Sequence, residues 1–201
     1  MQRLPGRVLG YYLVVLGVAV PVSAQTAPRT EISGGYQFVT FSVDGENESL
    51  PKGWYFDVAG NLTPMLGVVF QVGGNYKTFE ESVTIGPGTV TATADLDVHE
   101  FLGGLRVNAR GNSALVPYGQ VLVGGVVSSV ELTASSTIPG VPGFSEEESA
   151  TNFGLEVGGG VNFRVAENTG IRFGVDYVRV FAEDDEGVNV FRFHVGVVVG
   201  R

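Results

Sequence analysis

The sequence predicts an all-β fold, an eight-stranded antiparallel up-and-down transmembrane β-barrel, and three observations point to it. Hydrophobicity alternates with a period of two along most of the chain, as in strands with one apolar face. The connections between the alternating segments are long and short by turns, which places all the long ones at one end of a barrel. The polar face is mostly small and uncharged, whereas a sheet facing water carries long charged side chains of both signs. Glycine supplies 30 of 201 residues, and lysine occurs only at Lys52 and Lys77.

The N-terminal segment comes first. Arg3 and Arg7 precede an apolar run from residue 8 to 20, Pro21 breaks it, and Val22-Ser23-Ala24 offers small residues for cleavage. That is the tripartite pattern of a signal peptide, 1–24, ahead of a single barrel domain, 25–201. The run is short of the roughly 20 apolar residues a transmembrane helix needs. Loss of Arg3 and Arg7 leaves 10 basic residues against 21 acidic ones, a net charge of −11. Such a balance excludes nucleic acid as a partner, since nothing neutralises phosphates. The absence of cysteine excludes disulfides, thiolate metal sites and a cysteine nucleophile;. Gln25 stands where a lipoprotein would carry its acylated cysteine.

Eight strands follow. The first, about 31–42, sets Ile32, Tyr36 and Phe38 against Glu31, Ser33 and Gln37. The second, 53–62, sets Trp54, Phe56 and Val58 against Asp57 and Asn61. In the third, 66–77, Val68, Phe70 and Val72 oppose Gln71, Asn75 and Lys77, and in the fourth, 97–108, Phe101, Leu105 and Val107 oppose Glu100, Arg106 and Asn108. The fifth, 116–127, is less regular, with Val121 and Val123 opposite Tyr118 and Gln120. The sixth, 152–165, is the clearest: Phe153, Leu155, Val157, Val161 and Phe163 alternate with Gly154, Glu156, Gly158, Asn162 and Arg164. The seventh, 170–180, sets Ile171, Phe173, Val175 and Tyr177 against Arg172 and Asp176; the last, 188–199, sets Phe191, Phe193, Val195 and Val197 against Arg192 and His194. Long polar loops are expected at 43–52, 78–96 and 128–151, and tight turns at 63–65, 109–113 and 166–169, rich in Pro, Gly, Asn and Ser;. An even strand count puts both termini on the short-turn side.

Period two alone does not distinguish this barrel from a soluble one with its apolar face inside. The polar face does. Gly67, Gly73, Gly154, Gly158 and Gly160 suit a narrow lumen;. Its charges nearly balance: Asp57, Glu100, Glu156 and Asp176 against Lys77, Arg106, Arg164, Arg172 and Arg192. Confined charges must pair, so these nine are expected to form a structural network filling the lumen, with the surplus acid left to the loops. Phe153, Val157, Phe173 and Phe193 then meet lipid, and Trp54, Tyr76 and Tyr177 lie toward the long-loop end as an interfacial girdle;. Tyr55 has lumen or rim parity.

Four segments carry a resemblance: Phe101-Leu102-Gly103-Gly104-Leu105-Arg106, Val116-Pro117-Tyr118-Gly119-Gln120, Phe153-Gly154-Leu155-Glu156-Val157-Gly158-Gly159-Gly160, and the closing strand. Together, over about 31–201, the chain resembles the outer-membrane β-barrel family of OmpA-like, OmpX-like and opacity-type proteins. The resemblance implies a place in the bacterial outer membrane, contact with its lipids and lipopolysaccharide, and assembly by periplasmic chaperones and the barrel-assembly machinery. One departure is the ending Val199-Gly200-Arg201, where the family ends on an aromatic residue.

No catalytic, cofactor or metal site emerges. His99 falls on the lipid face and His194 in the lumen, and no His-x-Ser arrangement accompanies either;. The acidic runs Glu146-Glu147-Glu148 and Glu183-Asp184-Asp185-Glu186 lack the Gly-punctuated spacing of a calcium loop;. The expectation is a non-enzymatic surface-interaction barrel whose loops recognise a partner. A small-solute pore and a soluble lipocalin-like carrier are the alternatives.

Overall fold

The computed structural model describes residues 28–43, 46–86, 88–111, 114–138, 140–181 and 187–201. The signal-peptide segment 1–24 and the acidic run 183–186 lie outside them. Nine β segments follow one another: β1 (Thr30–Val43), β2 (Glu46–Leu50), β3 (Lys52–Asn61), β4 (Leu66–Ile85), β5 (Gly88–Asn108), β6 (Leu115–Ser136), β7 (Phe144–Arg164), β8 (Thr169–Phe181) and β9 (Val188–Gly200). β2 and β3 are one barrel strand interrupted at Pro51. Val39 pairs with Leu50 and Tyr36 with Trp54, so two residues of β1 face three of the partner strand. That is a β-bulge, a place where the missing N–H of a proline is tolerated.

Every neighbour is antiparallel, and β9 pairs with β1 to close an eight-stranded barrel. The stagger can be followed across paired residues: Glu31, Ala59, Val69, Gly104, Leu122, Glu156, Val178, Val190, and back on β1 at Phe41. One circuit therefore climbs from residue 31 to residue 41. With a rise of ~3.3 Å per residue and strands ~4.8 Å apart, this tilts the strands roughly 40° from the barrel axis. Chain ends meet at the short-turn end, where Thr30 and Arg201 exchange backbone hydrogen bonds of 3.0 and 2.9 Å. Thr63 closes the first tight turn with its hydroxyl accepting from the Met65 and Leu66 amides.

The faces are inverted relative to a soluble protein. Phe70, Val157 and Phe173 point outward, 56, 49 and 50% exposed, while Arg106, Arg172 and Arg192 are inside at 1, 0 and 1%. A soluble carrier would have these two sets exchanged. Ala59, Val69, Leu102 and Leu122 form an apolar cluster against one side of the lumen, and polar groups occupy the rest.

All three of the loops expected at 43–52, 78–96 and 128–151 are largely strand: β2 occupies the first, and the other two change the shape of the mouth. Strand pairing continues through them, to Ile85↔Gly88 in one hairpin and Ala134↔Phe144 in the other. β5 and β6 also stay paired as far as Val90↔Ser136. Thr and Val recur through the first stretch and Ser and Thr through the second, and β-branched residues suit strands as well in water as in lipid. The result is a four-stranded sheet, β4 to β7, standing above one side of the mouth. β3 and β8 leave off at Lys52↔Tyr76 and Phe153↔Phe181.

Candidate functional site

Seven of the nine charges expected in the lumen meet there, in two connected groups. The lower one is built on Asp57 of β3. Arg106 of β5 donates to both its oxygens at 3.2 and 3.1 Å, Arg172 of β8 donates at 2.7 Å, and the Ser33 hydroxyl at 2.6 Å. The upper group surrounds Arg192 of β9, which donates to Glu156 at 2.5 Å, to Asp176 at 2.9 and 3.1 Å, and to Glu100. Gln120 joins them: its oxygen accepts from Arg106 at 2.7 Å and its amide nitrogen donates to Glu156 at 2.7 Å. Neutral partners such as Ser33 and Gln120 meet several of the groups that the charge pairs leave open, the condition under which buried charge is tolerable, while Arg172 Nη2 and the Tyr55 hydroxyl have no hydrogen-bond partner among the described residues.

Lys77 and Arg164 lie at the two ends of the lumen, away from its buried centre. Lys77 sits at the rim and pairs with Glu48 of the β1–β2 hairpin at 2.6 Å, with both side chains partly exposed; its ammonium holds the Glu48 carboxyl below the ordinary range. Arg164 is exposed at the opposite end. Both have lumen parity, but parity carries no information about depth. Two members were missed. Glu31 pairs with Arg172 at 3.5 Å and with Arg110, which enters from the tight turn after β5 and also donates to the Pro64 carbonyl at 2.6 Å. A residue in a turn has no period to betray it.

Aromatic groups tie the two halves together. The Tyr118 ring lies between the Arg106 and Arg172 guanidiniums, 5.0 and 4.9 Å from its centroid. Its hydroxyl meets His194 Nε2 at 2.9 Å, and His194 Nδ1 lies 3.0 Å from Asp176. Tyr55, buried in the lumen, stacks on the same imidazole at 4.8 Å. Tyr, His and Asp in this order resemble an acid–base relay, but each group is enclosed by other side chains of the network; the contacts brace β3, β6, β8 and β9. Gly158 makes room for this arrangement, since a Cβ there would collide with the Asp176 carboxylate.

The rim is the second region of interest. On the outer wall just below it, Trp54 donates to the Tyr76 hydroxyl at 3.0 Å, and that hydroxyl meets His99 Nε2 at 3.2 Å. Gly74 stands between Trp54 and His99 in the pairing and lets the indole and the phenol cross. This is the aromatic band of a membrane interface. Tyr177, packed on Phe191 with centroids 5.4 Å apart, continues it. Above that level the alternation changes sign. Outward positions become Thr78, Glu80, Ser82, Thr91, Thr93, Asp95, Ser129, Glu131, Thr133 and Glu147. Positions continuous with the lumen become Phe79, Val83, Val90, Leu96, Val130, Leu132 and Phe144, with Glu81, Glu146 and Glu148 among them. Much of the surplus acid expected in loops is carried by this sheet. Glu80, Glu81, Asp95, Asp97, Glu131, Glu146, Glu147 and Glu148 fall in 78–97 and 128–151, with no Lys or Arg among them.

A family model described as an outer membrane protein beta-barrel domain matches residues 12–199. Among solved structures, the attachment invasion locus protein Ail of Yersinia pestis aligns with a TM-score of 0.58 at 23% identity, over 86% of this chain and 98% of that one. Ail has also been solved with the heparin analogue sucrose octasulfate, and that structure aligns with a TM-score of 0.58 at 20% identity, over 86 and 98% of the two chains. Neisserial surface protein A aligns with a TM-score of 0.57 at 13% identity, over 88 and 100%. At these identities the likeness is one of fold. No curated protein matches in sequence.

Proposed function

The chain belongs to the outer membrane protein β-barrel family, and from that premise we propose that it is a non-enzymatic surface-interaction barrel, an anchor whose protruding sheet does the recognising. The protein resides in the bacterial outer membrane. One observation carries the reading: the polarity of β4 to β6 inverts above the aromatic band, while the lumen below is filled by the network around Asp57 and Arg192. Filled lumens are the rule for eight strands. A wall of paired strands rising into solvent is costly to order and gives the barrel no additional closure, so contact with something outside accounts for it.

The other partners belong to the same proposal. Outer-membrane lipid and lipopolysaccharide would meet the belt of Phe70, Val157 and Phe173 and the Trp54–Tyr76–His99 group. Periplasmic chaperones and the barrel-assembly machinery would deliver the chain, reading a final strand whose aromatics, Phe191 and Phe193, lie inside it rather than at its end. The sulfated ligand solved with Ail does not suit this chain, because the protruding sheet is acidic throughout. Planar-bilayer recording separates anchor from pore. The anchor gives no sustained current steps; reproducible open-channel conductance from the purified, folded protein would remove the filled-lumen reading.

A further inference from the structure

The protruding sheet gathers its large apolar side chains on its inner face, interspersed with Glu81, Glu146 and Glu148. Its outer face is hydroxyl and carboxylate. Its inner face, over the mouth, exposes Phe79, Val83, Leu132 and Phe144 by 42, 60, 46 and 58%. Cross-strand pairing makes these one surface: Phe79 lies opposite Ala94, Ala94 opposite Leu132, Leu132 opposite Glu146, and Ala134 opposite Phe144. Beside them an open depression of about 390 Å³ is lined by Val130, Leu132 and Glu146 to Glu148. Contiguous apolar surface of this kind on an extramembrane segment marks a contact site.

Charge chooses the occupant. A second copy would bring carboxylates against carboxylates, and anionic headgroups or polysulfates would be repelled equally. A lone divalent ion fits poorly too, because among the described residues no three acidic or histidine side chains gather closely enough to hold one. The carboxylates are instead spread along the apolar surface. Glu146 and Glu148 alternate on one face of β7, ~7 Å apart, opposite Leu132 and Val130. Complementarity to this surface requires positive charges spaced along an apolar body. Resting on the reading that the sheet and not the lumen meets ligands, we infer that the inner face binds an amphipathic cationic polypeptide. Its apolar side chains lie on Phe79, Leu132 and Phe144, and its Lys or Arg side chains reach Glu81, Glu146 and Glu148.

The test uses the whole folded protein in zwitterionic nanodiscs. The probe is a short fluorescent peptide of alternating leucine and lysine, and the controls are oligolysine of equal charge and empty discs. The expected result is saturable binding roughly tenfold tighter than oligolysine, one decade in Kd, weakened by added salt. Glu146→Gln with Glu148→Gln, and separately Leu132→Ser with Phe144→Ser, each weaken binding several-fold while the heat-induced gel shift of the folded barrel stays unchanged. Equal binding to empty discs, equal binding by oligolysine, or indifference to both variant pairs overturns the inference. Self-association abolished by Leu132→Ser with Phe144→Ser overturns it as well, in favour of a second copy. If the peptide fails while Thr133 is reachable from outside intact cells, only the ligand class is wrong; if Thr133 is unreachable, the surface reading falls with it.

Discussion

Asp57 illustrates what a single charge requires inside this barrel. Two arginines and a serine converge on it, so Asp57→Asn removes the carboxylate that pairs with Arg106 and one of the two that pair with Arg172. Breaking a buried pair from one side costs about 3–5 kcal/mol. Urea unfolding from lipid vesicles should show a loss of that size; a loss well below 1 kcal/mol would mean the lumen is wetter than the geometry implies. Parity along the strands was enough to place Asp57, Glu100, Arg106, Glu156, Arg172, Asp176 and Arg192 inside. It was not enough for Lys77 and Arg164, which have the same parity at the wrong height, nor for Arg110, which sits in a turn. The neutral members Gln120, Tyr118 and Gln71, which donates to Glu156 at 3.3 Å, carry no charge to flag them, although their parity is equally legible.

At the scale of the element, β6 contains both halves of the account. Val121 and Val123 face outward within the membrane, and Glu131 and Thr133 share that outward face a few residues later. Val123→Arg, like Val157→Arg on β7, should cost ~2–4 kcal/mol near the midplane. Thr133→Arg should fall within about 0.5 kcal/mol, as exposed substitutions do. Unfolding of the variants in the same vesicles checks both, and equal costs would contradict the inversion. The sequence led to loops at 78–96 and 128–151 because a strand was recognised by apolar residues on the outward face. Above the membrane that face is Thr, Ser, Asp and Glu, and the weaker apolar alternation, Val83, Val90, Leu132 and Phe144, has the opposite sense. The period persists; the solvent changes. A reading keyed to lipid loses the strand where the lipid ends.

For the whole molecule, alternating link lengths and eight alternating segments were sufficient to reach a closed antiparallel barrel with its termini together. The stagger from Glu31 to Phe41 around the circuit was not legible, because a period of two fixes which way a side chain points and leaves each strand free to slide by pairs. Partner choice across the lumen depends on that stagger, which is why the charges could be assigned to the interior but not to one another. On the proposed function the barrel is an anchor in the membrane and β4 to β7 carry an exposed sheet outside it, inverted along β4 to β6. The chain has no cysteine, so single cysteines report position without background. With a membrane-impermeant maleimide on intact cells, Thr133→Cys should label, Val123→Cys should not, and Asn168→Cys in a tight turn should label only after the outer membrane is permeabilised. Labelling of Val123→Cys as fast as Thr133→Cys, or of Thr133→Cys only after permeabilisation, would contradict the account.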